Sequence, residues 1–200
     1  MNRAAFLDRD GVINRKLEEG RYVTRWEEFK ILPGVIEAAV LLKRAGFLVI
    51  IVTNQRCVAK HLIQAAELDA LHQRMCDFLA ERGAKINALY YCPHEASPPC
   101  ECRKPAPGML LEAARSWDVD LARSWMIGDS EIDIQAGKRA GCNTARVIGS
   151  AVMTNPRNDD RRATAPDIVA RSLLDAVSQI LNREQEPSRL NEQLTEQLNL

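Results

Sequence analysis

The chain has 200 residues, a formal net charge of zero, 46% hydrophobic residues and 27% charged ones. That length suits one domain with a real core, and the composition is that of a soluble globular protein. Balanced charge without a basic block excludes a nucleic-acid partner held by electrostatics, and no apolar run approaches membrane-spanning length.

In chain order, the apolar run Ala4–Leu7 has strand length and stops at Asp8, with Asp10 and Gly11 following. Residues i and i+2 of an extended end point the same way, so both carboxylates can face one pocket. Carboxylates that close repel unless a cation or a shared proton relieves them, so the motif predicts a divalent metal or an acid/base pair; an Asp-rich turn is the plain alternative. This strand begins almost at Met1, and a cleavable leader would remove its aspartates, so the expected location is the cytoplasm. A polar segment over 15–28 carries Tyr22 and Trp26, which suit either surface packing or substrate contact. Pro33-Gly34 opens a helix over Val35–Arg44, with Val35, Ala38, Ala39 and Leu42 on one face. Phe47–Val52 is continuously apolar and rich in β-branched residues, as a strand buried on both faces requires. It ends at Thr53-Asn54-Gln55, polar groups suited to an anion or to turn hydrogen bonds. An amphipathic helix is expected over Ala65–Arg82 and a third strand over Ile86–Tyr91.

Cys92, His94, Cys100 and Cys102 then crowd into one loop, while Cys57, Cys76 and Cys142 are scattered. In a reducing compartment this spacing favours a metal site over a disulfide framework. Three thiols and an imidazole match a tetrahedral Cys₃His zinc site, and with all four positions filled the zinc is expected to be structural. Arg103 and Lys104 follow directly and put two cations at the end of that loop, either as a solvated pair or aimed at an anionic substrate. A helix to about Trp117, a strand over Ser124–Ile127 and a helix to Ala140 come next. Gly128-Asp129 ends the strand, and Asp133 lies at the start of the helix. Strands over Thr144–Ile148 and Asp167–Val169 and a helix over Leu173–Leu181 complete a body spanning 1–182, with a polar loop over 150–165. The tail, 183–200, repeats Leu190, Leu194 and Leu198 every fourth residue; it reads as a docking helix or a frayed end, and a monomer is the expected state.

Alternating strands and helices predict an α/β fold with a mostly parallel sheet, whose ligands bind at the carboxyl ends of the strands. Asp8 and Asp10, Thr53, Arg103 and Lys104, and Asp129 and Asp133 all fall on that rim. The spacing between them leaves no room for a large cap domain; the metal-stabilised loop is the only cap-like element.

In this order the residues resemble the haloacid dehalogenase superfamily of phosphotransferases: Asp-x-Asp-Gly at Asp8 to Gly11, Thr53, Lys104, and Gly-Asp-x₃-Asp from Gly128 to Asp133. The first motif, Thr53-Asn54-Gln55, the zinc loop and the Arg103–Met109 run resemble one branch, the D-glycero-D-manno-heptose 1,7-bisphosphate phosphatases of bacterial surface-heptose (lipopolysaccharide) biosynthesis. Histidinol-phosphate phosphatases are similar, and a non-catalytic zinc-stabilised scaffold is the rival of another class. The resemblance implies a Rossmannoid three-layer sandwich and phosphomonoester hydrolysis through an aspartyl-phosphate. It implies Asp8 as nucleophile, Asp10 as acid and base, and Thr53 and Lys104 on the phosphate oxygens. Mg²⁺ would be held by Asp8, the Asp10 carbonyl and Asp129, with Asp133 orienting Lys104 or a metal-bound water. Tyr22, Asn54, Gln55, Arg56 and Arg103 are assigned to a small phosphorylated sugar, Arg103 to its second phosphate. Where that branch places glycines, this chain has Cys57 and His61, and the substitutions are expected to reshape the loop after Gln55.

Overall fold

The computed structural model describes residues 1–149 and 165–184. Its six-stranded sheet has the order β3-β2-β1-β4-β5-β6. The strands are β1 (Arg3–Leu7), β2 (Phe47–Asn54), β3 (Ala88–Cys92), β4 (Trp125–Gly128), β5 (Asn143–Val147) and β6 (Ile168–Ala170), and every neighbouring pair is parallel. The helices are α1 (Val35–Arg44), α2 (Ala65–Ala80), α3 (Gly108–Trp117), α4 (Glu131–Ala140) and α5, which covers 173–184.

Strand alternation sorts the apolar side chains into two cores. On one face Ala5, Leu7, Val49, Ile51 and Ile127 pack against Val35 and Leu42 of α1, Leu68 and Met75 of α2, and Val177 and Ile180 of α5. On the other, Ala4, Phe6, Ile50, Val52 and Met126 meet Met109 and Leu110 of α3 and Ala136 of α4. Because both faces are covered, the strands read as continuous apolar runs, and the result is the expected three-layer sandwich with a wholly parallel sheet.

The chain leaves β1 toward β2 and β3, then returns to its other side for β4, β5 and β6. The sheet therefore reverses its winding direction at β1, and a crevice opens above the carboxyl ends of β1 and β4, which is where such sheets bind ligands. The Asp8 amide continues the ladder by donating to the Ile127 carbonyl at 2.9 Å.

Element boundaries differ from the sequence reading where side chains or neighbouring strands intervene. β2 runs through Thr53 and Asn54 because these pair with Tyr91 and Cys92 of β3. β3 starts at Ala88 because Asn87 turns its side-chain oxygen onto the Val49 amide. α2 stops at Ala80, ahead of a turn that leads to Gly83. α5 continues through Arg183 and Glu184, which reach back to the Asp167 carbonyl and the Arg3 guanidinium. The expected loop over 150–165 lies, but for residue 165, outside the described residues, as does the tail beyond 184.

α4 lies close to the sheet at Gly137. A Cβ there would sit 2.6 Å from the Met126 Cβ and 2.9 Å from the Thr144 Cγ2. Gly137→Ala is therefore expected to destabilise the fold by about 1–3 kcal/mol through overpacking, despite the better helix propensity of alanine. Urea unfolding measures this, and an unchanged or raised midpoint would contradict the packing account.

Candidate active site

The site is built around a buried lysine. Lys104 is 2% exposed, and its Nζ lies 2.8 Å from Asp8 Oδ1, 2.6 Å from Asp133 Oδ1 and 2.7 Å from the Val52 carbonyl. Each partner comes from a different element: the end of β1, the first turn of α4, and β2. Burial works to lower the Lys104 pKa, but the charges of Asp133 and Asp8 outweigh it and keep the ammonium protonated. Burial raises Asp8 to about 7 against the pull of Lys104, so this carboxyl sits on the edge of ionisation.

Local structure aims these groups. Asp133 is the N3 residue of a capping box: its Oδ2 accepts from the Ser130 amide at 3.1 Å and from the Ser130 hydroxyl, which turns Oδ1 toward Lys104. Asn54 braces the Lys104 backbone from both sides. Its Nδ2 donates to the Lys104 carbonyl and its Oδ1 accepts from the Lys104 amide, each at 3.0 Å.

Asp10 is held differently. Arg9 Nη2 donates to both carboxylate oxygens at 3.0 and 2.9 Å, Asn14 Nδ2 to Oδ1 at 2.8 Å, and Gln55 Nε2 to Oδ2 at 2.9 Å. Burial opposes ionisation, yet the Arg9 charge and these three donors together depress its pKa. Gln55 also donates to Thr53 Oγ1 at 2.9 Å, which leaves the threonine's own hydroxyl proton free to point elsewhere.

Two clusters could hold metal ions. Ligand oxygens of Asp8, Asp129 and Asp133 all lie within 4.8 Å of one another. Asp129 Oδ2 takes Lys16 Nζ at 2.7 Å, while its buried Oδ1 has no partner among the described residues, as a carboxylate placed for a hard cation would. Gly11 makes this approach possible. Its φ is +95°, and a Cβ there would stand 2.5 Å from Asp129 Oδ2. In the second cluster, the Cys92–His94, Cys92–Cys100, His94–Cys102 and Cys100–Cys102 ligand atoms are 3.3 to 3.5 Å apart. A tetrahedral ion with bonds of about 2.3 Å has edges of about 3.8 Å. The four groups therefore already stand close to that tetrahedron.

A HAD-hydrolase-like family model matches residues 101–176. A Rhodopseudomonas palustris protein named D-glycero-beta-D-manno-heptose-1,7-bisphosphate 7-phosphatase is 42% identical over 156 residues, covering 74% of this chain and 85% of that protein. The Escherichia coli K12 protein of that name is 36% identical over 193 residues, covering 93% and 97%. This chain belongs to that phosphatase family of HAD-like hydrolases. A crystal structure of D,D-heptose 1,7-bisphosphate phosphatase from B. bronchiseptica, complexed with magnesium and phosphate, is similar at a TM-score of 0.76 and 34% identity, covering 90% of this chain and 99% of that one.

Among the residues singled out in the sequence, Asp8, Lys104, Asp129 and Asp133 come together in one group, and Asp10 joins Thr53 through Gln55. Gln55 is 1% exposed with its amide nitrogen donating to Asp10 and Thr53, and half-buried Asn54 holds Lys104 with both ends of its amide. Arg56 and Arg103 sit nearer the surface. Arg56 Nε donates to the Tyr22 hydroxyl at 3.0 Å and lies 3.5 Å from Glu95, and Arg103 Nη1 donates to the His94 carbonyl at 3.1 Å. His61 itself takes the left-handed φ of +57° that glycine would supply, and Cys57 is fully buried with its thiol donating to Gln55 Oε1 at 3.6 Å. The loop thus keeps its left-handed turn without either glycine.

Sequence reading missed Arg9, Asn14, Lys16 and His72. Arg9 lies inside the first motif and Asn14 four residues after Asp10, and nothing in the sequence marks either as turned inward; each is 1% exposed or less. His72, on α2, brings its Nε2 within 2.9 Å of Arg9 Nη1, and burial followed by the Arg9 charge lowers its pKa to about 3. A histidine depressed from 6.5 to about 3 leaves the unfolded chain binding the extra proton between those values, so stability falls as pH drops through that window. Denaturant unfolding between pH 7 and pH 4 should therefore show a steeper acid loss in the native chain than in His72→Gln, which has no proton to take up; equal slopes would contradict a buried neutral imidazole.

Proposed function

We propose that the protein removes the 7-phosphate of D-glycero-β-D-manno-heptose 1,7-bisphosphate through a phosphorylated Asp8. The observation that carries the chemistry is the Asp8–Lys104–Asp133 group, buried at the sheet's switch point beside Asp10 and Thr53. The family relatives carry the choice of substrate, since their names specify that sugar and that position.

An Asp8 carboxylate oxygen attacks the phosphorus as the bond from phosphorus to the sugar oxygen breaks, and Asp10 gives its proton to the departing alkoxide. The resting carboxylate of Asp10 is ionised, so it first takes up a proton, from the arriving phosphate monoanion or from solvent, and the negative charge of that phosphate raises its proton affinity for this step. Water then attacks the phosphorus of phosphorylated Asp8, Asp10 takes the water's proton, and inorganic phosphate leaves. Lys104 and the Thr53 hydroxyl hold the non-bridging oxygens while charge moves among them. The carboxylates of Asp8 and Asp129 with the Asp10 carbonyl would hold Mg²⁺, which supplies positive charge to keep Asp8 ionised and to neutralise the phosphate. The chemistry of the bound state of the B. bronchiseptica relative, magnesium with phosphate, supports this choice of ion.

Cys92, His94, Cys100 and Cys102 would hold a structural Zn²⁺, because thiolates and imidazole suit that soft site and leave no open position. Arg103, whose Nη1 donates to the carbonyl of one of these ligands, would meet the second phosphate of the sugar by a bidentate grip. All groups in the scheme come from one chain, which supports reading the protein as a monomer. Six free cysteines suit a reducing compartment, the cytoplasm, and no helix among the described residues is long and apolar enough to cross a membrane.

With Mg²⁺ present, the protein should release phosphate from the heptose bisphosphate, and Asp8→Asn should lower kcat by at least about a thousandfold while leaving the fold intact by circular dichroism. Retained turnover would remove Asp8 as nucleophile. Elemental analysis of protein purified without chelator should find about one zinc per chain; its absence would undo the reading of the cysteine loop.

A further inference from the structure

The donors on Asp10 are themselves fixed from inside the protein, and one of the fixing groups is costly. Arg9 is the largest fully buried side chain, 1% exposed. Among the described residues its Nη2 spans the Asp10 carboxylate, its Nε has no partner, and its Nη1 has one, His72 Nε2 at 2.9 Å. For Nε2 to accept that bond the imidazole must be neutral with its proton on Nδ1, and Nδ1 is buried without a partner among the described residues. A buried donor left unmade costs about 1–3 kcal/mol. An apolar residue would avoid this cost and would pack as well against Tyr91, whose ring meets the His72 ring edge-on with centroids 5.4 Å apart. What such a residue could not do is accept from Arg9. Without an acceptor at that point, the guanidinium is fixed only by the carboxylate it is meant to fix and by the Phe29 ring, 5.7 Å away.

We propose that His72 is a positioning residue for the phosphatase reaction: as a buried acceptor it locks the Arg9 fork, and the locked fork sets the plane in which Asp10 presents its carboxylate to the leaving oxygen. The inference rests on the reading of Asp10 as general acid. Asn14 and Gln55 hold one carboxylate oxygen each, so a fork free to rock would let the carboxylate shift within the play of those two bonds; proton transfer is sensitive to that angle, whereas binding of the phosphate by Lys104 and Thr53 is not.

The test uses leaving groups. An alkyl ester needs a proton on its departing oxygen, and a p-nitrophenyl ester does not. kcat/KM ends at departure of the leaving group, so it reports the acid step without the later hydrolysis. In the full-length, Mg²⁺-loaded protein, His72→Phe keeps the ring and removes the acceptor. It should lower kcat/KM for the heptose bisphosphate about tenfold, carried by kcat, and for p-nitrophenyl phosphate less than about threefold; tenfold corresponds to ~1.4 kcal/mol of barrier. His72→Gln, whose amide oxygen can reach the Nε2 position, should recover most of the loss. Should His72→Phe fail to fold, His72→Asn, whose amide ends short of Arg9, takes its place in the comparison. Equal losses on both esters, or no recovery in His72→Gln, would overturn the proposal and leave His72 a packing residue. Asp10→Asn run alongside separates the two readings: a leaving-group split there but not in His72→Phe sinks the role of His72 alone, and equal losses in Asp10→Asn sink the acid reading of Asp10.

Discussion

A lysine ammonium buried between two carboxylates sets most of what this structure does. Lys104 can stay charged in the interior only because Asp8 and Asp133 lie within 2.8 Å and the Val52 carbonyl takes another of its protons. Removing one partner of such a group leaves an uncompensated buried charge, typically worth about 3–5 kcal/mol, so the three elements that supply the partners are held in register by electrostatics as well as by packing. The sheet's switch point brings β1 and α4 to this place. Asn54, at the end of β2, clamps the main chain of Lys104, and the cysteine loop delivers that lysine from outside the sheet. A metal held by the cysteine loop would have a mechanical purpose: the loop ends two residues before Lys104, and joining its four ligand groups would stiffen the arm that delivers that lysine.

The two aspartates of the first motif are separated by environment. Asp8 lies among other carboxylates, where burial raises its pKa to about 7 and positive charge is needed to ionise it. Asp10, two residues on, is surrounded by donors from Arg9, Asn14 and Gln55 and rests ionised. The resting order, Asp8 raised and Asp10 lowered, is the reverse of what a nucleophile and a proton donor need, so the proposed roles require positive charge beside Asp8 and an arriving phosphate beside Asp10 to invert it.

Much of this was legible in the sequence because it depended on local pattern. Apolar runs ending in Asp8, Thr53 and Asp129 located the strand ends, and parallel α/β topology put those ends on one rim. The four soft ligands between Cys92 and Cys102 were visible as a cluster because all lie on one loop. The parts that stayed hidden are those in which partners are distant in sequence or a polar side chain turns inward. The sequence pattern did not show that Asn54 and Gln55 brace Lys104 and Asp10, since those hydrogen bonds join residues 45 and 50 positions apart. His72 lies on the apolar face of an ordinary amphipathic helix, 63 residues from Arg9, and no periodicity distinguishes it from a core residue. At His61 the sequence showed a missing glycine but not its outcome, which is that the histidine takes the left-handed backbone itself.

The central claim is that phosphorus passes through Asp8. Acid-quenching the enzyme during turnover and reducing it with borohydride converts an aspartyl-phosphate to homoserine, which peptide mass spectrometry locates. The account predicts homoserine at position 8 and at no other aspartate, dependent on both substrate and Mg²⁺. Reduction at Asp10 or Asp129, or turnover with no reducible intermediate under conditions that trap acyl phosphates, would contradict it.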